Sequence, residues 1–442
     1  MAGYQIDGGR RLEGTLTLQG AKNSALPILA ATILVPGVSV LHHCPVLSDT
    51  ENALGILSHL GCRVERQADT VVVDASQLTG NEIPAERMAA MRSSILFAGA
   101  LLNRTGSCRI WNPGGCRIGK RPIDLHLQAF SHLGCQVEEE ENGCVSICRN
   151  KRQGGVLTFP FSSVGATENS MLAAAGQAEK VMILPAAREP EIADLQGFLR
   201  KAGFGVEGAG SSTVILQGGQ PAAVEYDIMP DRICGETYLA AVAATGGKLH
   251  LKRVRPEHSQ PMLALLRRSG CEMTEQADGV ILESPSRLAY SGMIRTEPYP
   301  GFPTDSGALA TAALLRAKGV TVLEETIFEN RFRHIEELRR LGADLTVCGK
   351  LCRIRGVEAL TGAAMTAADL RGGAALVIGA LQAQGKSQIS GIEYMHRGYE
   401  NFAACLQQLG AEIRETGVSY GKKEEEHSVG FPERSGAGYG KT

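Results

Sequence analysis

A chain of 442 residues, 43% apolar and 21% charged, is long enough for two or more well-filled domains. Its net charge of −2 gives no support to a role on nucleic acid or at a membrane surface. It has neither an apolar run of about eighteen residues nor a basic-then-apolar start. The expectation is a cytoplasmic protein with no membrane span and no secretory signal.

Taken in order, the chain first shows Gly14-Thr15-Leu16-Thr17-Leu18-Gln19-Gly20, which reads as a strand. An apolar helix follows from near Ala21, then a strand at 38–41. Next comes an amphipathic helix opened by Ser48-Asp49-Thr50-Glu51, a capping-box pattern. It stops at Gly61, which reads as the left-handed residue that closes a helix. The same order recurs. Apolar helices rich in Ala and Gly start near Arg92, Val164, Arg232, Asp305 and Leu370. A helix apolar on all sides belongs in a core. Strands follow at 107–111, 180–184, 248–251, 320–323 and 386–390. Amphipathic helices then stop at Gly134, Gly203, Gly270, Gly342 and Gly410, with Pro122, Pro190 and Pro256 near the first turns of three of them. The six stop glycines are 73, 69, 67, 72 and 68 residues apart, too long a period for a solenoid. The expected fold class is α/β, with six βαβαββ units divided between two domains of three. The first domain would be residues 21–229. The second would be 230–420 together with 1–20, whose strand would complete the last unit and tie the domains together. The polar segment 421–442 has too little apolar surface to order itself.

The 12 cysteines form no C-x-x-C pair and no zinc-type spacing. Cys144 with Cys148, and Cys348 with Cys352, are four apart in strand-like stretches and are expected to share a face. They read as small core residues of a reducing compartment.

Two features carry chemistry. The loop Asn112-Pro113-Gly114-Gly115-Cys116-Arg117-Ile118-Gly119-Lys120-Arg121-Pro122 sets one cysteine among three glycines and three cations. Cations favour a thiolate, and glycines let backbone approach a ligand; a plain surface turn is the alternative. The starts of the buried helices are also polar, where charge without a partner is costly. They read Lys22-Asn23, Arg92-Ser93, Ser163-Val164-Gly165, Asp231-Arg232, Thr304-Asp305 and Asp369-Leu370-Arg371. Helix N-termini attract anions. With Arg121, Arg331 and Arg397 they would line a positive space suited to a doubly anionic or phosphate-rich substrate. The plain alternatives are that Asp305 and Asp369 are caps, that Arg92, Arg232 and Arg371 sit in structural ion pairs, and that Arg331 lies on a solvated helix face.

Ten motifs carry a resemblance. They are Gly20-Ala21-Lys22-Asn23, Met91-Arg92-Ser93-Ser94, Pro113-Gly114-Gly115-Cys116, Gly119-Lys120-Arg121-Pro122-Ile123-Asp124-Leu125-His126, Ser163-Val164-Gly165-Ala166-Thr167, Ala187-Arg188-Glu189-Pro190-Glu191-Ile192, Pro303-Thr304-Asp305, Phe328-Glu329-Asn330-Arg331-Phe332, Ala368-Asp369-Leu370-Arg371 and Arg397-Gly398-Tyr399-Glu400. In register over about residues 3–416, they resemble the UDP-N-acetylglucosamine 1-carboxyvinyltransferase family of enolpyruvyl transferases. The resemblance implies two inside-out α/β barrel-like domains with the active site in the cleft between them. It implies transfer of the enolpyruvyl group of phosphoenolpyruvate to the 3′-hydroxyl of UDP-N-acetylglucosamine, with loss of phosphate and without metal or organic cofactor. This step opens peptidoglycan precursor synthesis. Cys116 matches the residue that protonates phosphoenolpyruvate and reacts with fosfomycin-like covalent inhibitors, and Asp305 matches the base for the sugar hydroxyl. Lys22, Arg121 and Arg397 match the phosphoenolpyruvate clamp, with Asn23 and Arg92 beside it. Asn23, Arg92, Arg121, Pro122, Ile123, Asp124, Leu125, Ser163, Val164, Gly165, Asp305 and Ile327 match nucleotide-sugar contacts. Asp49, Asp231, Arg331, Asp369 and Arg371 are supporting groups. Nucleic acid and membrane are not implied as partners.

Departures and rivals follow from the same residues. Phe159-Pro160-Phe161-Ser162 stands where some relatives carry a lysine against the nucleotide, and Arg117 follows the cysteine where smaller residues are common. One rival is 3-phosphoshikimate 1-carboxyvinyltransferase, whose pattern lacks the cysteine loop. The other is a non-catalytic paralogue, which the presence of Cys116, Asp305, Lys22 and Arg397 argues against.

Overall fold

The computed structural model describes residues 2–114 and 122–417. Cys116, Arg121 and the 421–442 segment lie outside the described residues.

The six apolar stretches form helices Lys22–Ala31, Leu96–Thr105, Val164–Ala174, Arg232–Thr245, Thr304–Ala313 and Leu370–Gln382. Almost every residue in them is buried. Their Ala and Gly content lets helix backbones come close. At Gly99 an added Cβ would lie 2.3 Å from Asn169 Oδ1. That oxygen instead accepts the Gly99 N–H at 2.9 Å, while Asn169 Nδ2 donates to the Ile95 carbonyl at 3.0 Å. A polar side chain is thus satisfied inside an apolar stack.

The amphipathic helices are Ser48–His59, Asp124–His132, Pro190–Lys201, Gln260–Arg268, Ile335–Arg339 and Phe402–Gln408. Their stop glycines all have positive φ, from 87° at Gly134 to 101° at Gly270, a region open to glycine at little cost. Ser48 is the first helical residue, not a cap as its pattern suggests. Thr50 supplies one half of a cap by accepting the Leu47 N–H on its hydroxyl at 3.0 Å.

Each unit carries a small sheet, five of four strands and one of three. In the three-stranded sheet of Ser107–Trp111, Cys144–Arg149 and Cys135–Glu139, the parallel edge strand is reduced to a bridge between Glu82 and Arg109. The N-terminal segment departs from expectation. Strand Glu13–Thr17 runs parallel to Lys248–Lys252 and completes the fourth unit. The last unit is completed by Gly3–Asp7, antiparallel between Lys386–Ser390 and Glu412–Thr416. Five residues with only Tyr4 and Ile6 inward give too short an alternation to identify a strand. Reciprocally, Val224–Asp227 runs parallel to Val38–His42 in the first unit.

Two hydrophobic cores result. One is built from residues within 25–228, the other from residues within 4–18 and 233–413. The chain crosses between them twice, and the crossings are hydrogen-bonded to each other. Ala21 N–H donates to Met229 O at 2.7 Å, and Asp231 N–H to Gln19 O at 3.0 Å. Cys348 and Cys352 are not in one strand: they lie on the two arms of the hairpin Asp344–Cys348 and Leu351–Arg355. Cys352 is buried and Cys348 exposed; likewise Cys144 is buried and Cys148 exposed. No helix among the described residues is long and apolar enough to cross a membrane.

Candidate active site

The polar starts at Lys22, Asp231-Arg232, Asp305 and Asp369-Arg371 come together where the cores meet. Lys22 opens the first buried helix, and Pro27 within that helix lacks the N–H that would bond the Asn23 carbonyl. Lys22 Nζ lies 2.7 Å from Asp49 Oδ2. Arg397, at the end of the 3₁₀ turn Ile392–Arg397, reaches the same carboxylate from the other core. Its Nε is 2.9 Å from Oδ1 and its Nη2 3.3 Å from Oδ2. Burial alone would raise the pKa of Asp49, but Lys22 and Arg397 outweigh it and hold the carboxyl below its ordinary range. Asp49 therefore stays ionised and keeps two mutually repelling cations side by side.

A second cluster forms at the start of the helix Thr304–Ala313. Asp305 is the second residue of that helix and caps nothing, Pro303 being the N-cap. Its carboxylate bonds the Arg331 guanidinium at 2.5 Å. Arg331 also donates to the Thr304 carbonyl at 3.3 Å. With 6% of its side chain exposed, Arg331 is a buried partner of Asp305, not part of a solvated helix face. Burial would raise the pKa of Asp305, but Arg331, then Arg371 and Arg232, outweigh it and set it at about 2. About a third of the Asp305 side chain remains open to solvent.

Two acidic starts are caps, and Asp231 does more. Asp369 accepts the Gly372 N–H at 2.9 Å. Asp231 accepts Ile233 and Cys234 N–H at 2.9 and 3.0 Å, and its other oxygen accepts the Lys22 backbone N–H at 3.2 Å. One carboxylate thus caps a helix of one core and holds the first residue of a helix in the other. Replacing Asp231 with alanine is expected to cost about 2 kcal/mol, at the upper end for a cap because the carboxylate also accepts the Lys22 N–H. Thermal unfolding should show Tm lower by about 4 °C or more; an unchanged Tm would dismiss this double role.

Arg371 is buried and lies over the Tyr399 ring, 5.3 Å from its centroid. Ser163 caps the helix Val164–Ala174 through the Ala166 N–H at 3.4 Å. The helix Asp124–His132 is tied beside it by Asn169 and His126 Nδ1 at 2.9 Å. This sets Ile123, Asp124 and Leu125 near Val164 and Gly165, where an added Cβ on Gly165 would meet the His126 ring at 3.3 Å. Arg92 donates to the Pro122 carbonyl at 2.8 Å. Ile327 is held beside the start of the Thr304–Ala313 helix by Glu325, which accepts its N–H at 2.8 Å and takes the Thr304 hydroxyl at 2.8 Å.

Residues 6–416 match the family profile described as EPSP synthase (3-phosphoshikimate 1-carboxyvinyltransferase). The chain is 45% identical over 415 residues to UDP-N-acetylglucosamine 1-carboxyvinyltransferase 2 of Caldanaerobacter subterraneus, covering 93% of this chain and 99% of the relative. The chain belongs to the UDP-N-acetylglucosamine 1-carboxyvinyltransferase family. A second member, UDP-N-acetylglucosamine 1-carboxyvinyltransferase 1 of Symbiobacterium thermophilum, is 42% identical over 93% of this chain and 94% of its own length. The fold matches that of the enolpyruvyl transferase NikO from Streptomyces tendae with a TM-score of 0.84 at 23% identity, covering 94% of this chain and 99% of that one. The α/β fold expected from the six units, with the two-domain inside-out form that the resemblance implied, is thus that of the enolpyruvyl transferases.

This family member also buries further polar groups, and Arg232 takes the structural ion pair that was its plain alternative. Arg232 is paired with Glu191 at 3.1 Å, an ion pair between the two cores with both side chains less than a tenth exposed. Glu236 lies fully buried beside it and takes the Ser306 hydroxyl. His334 is buried, and among the described residues neither ring nitrogen finds a hydrogen-bond partner. Burial lowers its pKa, Asp369 opposes that and Arg331 reinforces it, so the ring is neutral at physiological pH. The available signal for Arg232 was charge at the start of an apolar helix; that its partner is Glu191, 41 residues away on an amphipathic helix, was not legible. Among the described residues no group of three or more His, Cys, Asp or Glu is placed to hold a metal ion.

Proposed function

We propose that this chain transfers the enolpyruvyl group of phosphoenolpyruvate to the 3′-hydroxyl of UDP-N-acetylglucosamine, releasing phosphate, in the step that commits carbon to peptidoglycan precursors. The observation that carries this is the 45% identity to a carboxyvinyltransferase of that name over nearly the whole of both chains. The rival 3-phosphoshikimate reaction has a family profile behind it and a fold shared with EPSP synthases of Acinetobacter baumannii at only 18–19% identity.

The residue roles follow as parts of the proposal. The two cores support a division into residues 21–229 and residues 230–420 with 1–20, the site lying between them. Lys22 and Arg397, with Arg121, take the phosphate and carboxylate of phosphoenolpyruvate, and Arg92 and Asn23 stand beside them. Asp49 supports this role by keeping Lys22 and Arg397 gathered. Cys116 delivers a proton to the methylene carbon, leaving an oxocarbenium-like centre that the 3′-oxygen attacks while Asp305 takes the hydroxyl proton. The tetrahedral adduct then loses the methyl proton and phosphate, restoring the double bond. Pro122, Ile123, Asp124, Leu125, Ser163, Val164, Gly165 and Ile327 hold the nucleotide sugar. Asp231, Asp369, Arg331 and Arg371 shape and charge the site.

A carboxyl set at about 2 is a weak base. Its three flanking guanidiniums explain that value, and a bound trianionic substrate would offset their field. Asp305 would then gain basicity when phosphoenolpyruvate is in place, confining proton removal to the ternary complex. Fosfomycin-like epoxides would react at Cys116.

The test is phosphate release from phosphoenolpyruvate with UDP-N-acetylglucosamine and, separately, with shikimate 3-phosphate. Release with the first only is expected. Release with the second only would hand the assignment to the rival reaction, and release with neither would leave a non-catalytic paralogue.

A further inference from the structure

Gln19 links the crossing between the cores to the segment carrying Arg397. The 3₁₀ turn ends at Arg397, and residues 398–400 belong to no helix or strand. The Gly398 and Tyr399 N–H groups bond the Met395 carbonyl within the turn, and the Cys234 thiol donates to the Gly398 carbonyl at 3.2 Å; the segment's remaining partners come from elsewhere, because buried amides without partners are costly. One side chain supplies two. Gln19 Oε1 accepts the Glu400 N–H at 2.8 Å, and Gln19 Nε2 donates to the Gly398 carbonyl at 3.3 Å. The network fixes the amide orientation, since one partner is only a donor and the other only an acceptor. The backbone of Gln19 is itself tied into the paired crossings between the cores: its carbonyl accepts the Asp231 N–H, and Gly20 bridges Pro230. The far edge of the segment is held to the first core, with Glu400 accepting the Val46 N–H at 3.2 Å. Arg397 therefore meets Asp49 from a piece of backbone whose pose is set by an amide fork on the crossing strand.

We infer that Gln19 is a positioning residue for Arg397, coupling the relative placement of the two cores to the cation that meets phosphoenolpyruvate. The inference rests on the proposed activity. Leucine at 19 has similar size and neither hydrogen bond; glutamate keeps the acceptor and loses the donor.

The experiment compares wild type, Gln19→Leu and Gln19→Glu for kcat, KM for each substrate and Tm. For Gln19→Leu, kcat/KM for phosphoenolpyruvate should fall about tenfold, corresponding to two lost hydrogen bonds. KM for UDP-N-acetylglucosamine should stay within about twofold and Tm within about 3 °C. Gln19→Glu should fall between. A value of kcat/KM for phosphoenolpyruvate within about twofold of wild type would overturn the inference. So would equal losses for both substrates with a lowered Tm, which would make Gln19 a structural tie. A wild type without turnover would overturn the functional reading itself, and this inference with it.

Discussion

Asparagine in place of Asp305 is expected to lower kcat by about a hundred- to ten-thousand-fold, the range for loss of a positioned acid–base group. The amide retains a carbonyl oxygen for Arg331 but cannot take up the sugar proton. KM for UDP-N-acetylglucosamine should change far less, and far-ultraviolet circular dichroism should match wild type. A kcat within about tenfold of wild type would remove Asp305 from the mechanism. The pH dependence has a definite sign. Folding lowers this pKa from an ordinary value of about 3.9 to about 2. Its ion pair with Arg331 thus stabilises the fold fully above the unfolded value and is lost as pH falls toward 2. In the free enzyme the carboxylate is charged throughout the neutral range, so it should leave no acid limb near pH 4 in kcat/KM.

Serine in place of Cys116 is expected to reduce turnover about a hundredfold or more, because a hydroxyl is a much weaker acid than a thiol. Fosfomycin should add once to the wild-type protein, and peptide mapping should locate the adduct on Cys116. The other cysteines make this a discriminating measurement. Burial pushes the thiols of Cys44, Cys62 and Cys271 up to about 11, and Cys352 to about 12. Cys108 and Cys234 are raised further, so these six are poor nucleophiles. Among the described residues, Cys148 and Cys348 are exposed and could compete. An adduct confined to either of them, or undiminished turnover in Cys116→Ser, would remove the loop cysteine from catalysis.

The legible parts of the fold were those encoded locally. Six apolar helix runs and six stop glycines gave the units, because burial and left-handed backbone each select residue types at their own positions. Register across the chain was less visible. Tyr4 and Ile6 are too few to mark a strand, and only pairing with Lys386–Ser390 and Glu412–Thr416 identifies Gly3–Asp7. The hairpin turn between Cys348 and Cys352 broke what looked like one strand.

In the site, sequence determined which residues were anomalous: charge on the starts of apolar helices, and a cysteine in a cationic, glycine-rich loop. Tertiary structure decided what each anomaly does. Asp369 and Asp231 are caps, Asp305 is not, and of the two readings open for Arg331 it takes the site, pairing with Asp305 instead of lying on a solvated face. Lys22 and Arg397, 375 positions apart, share Asp49. A residue's type fixes which partners its chemistry requires, but the partner is chosen by chain crossings that bring distant helix ends together, and no local pattern records that choice.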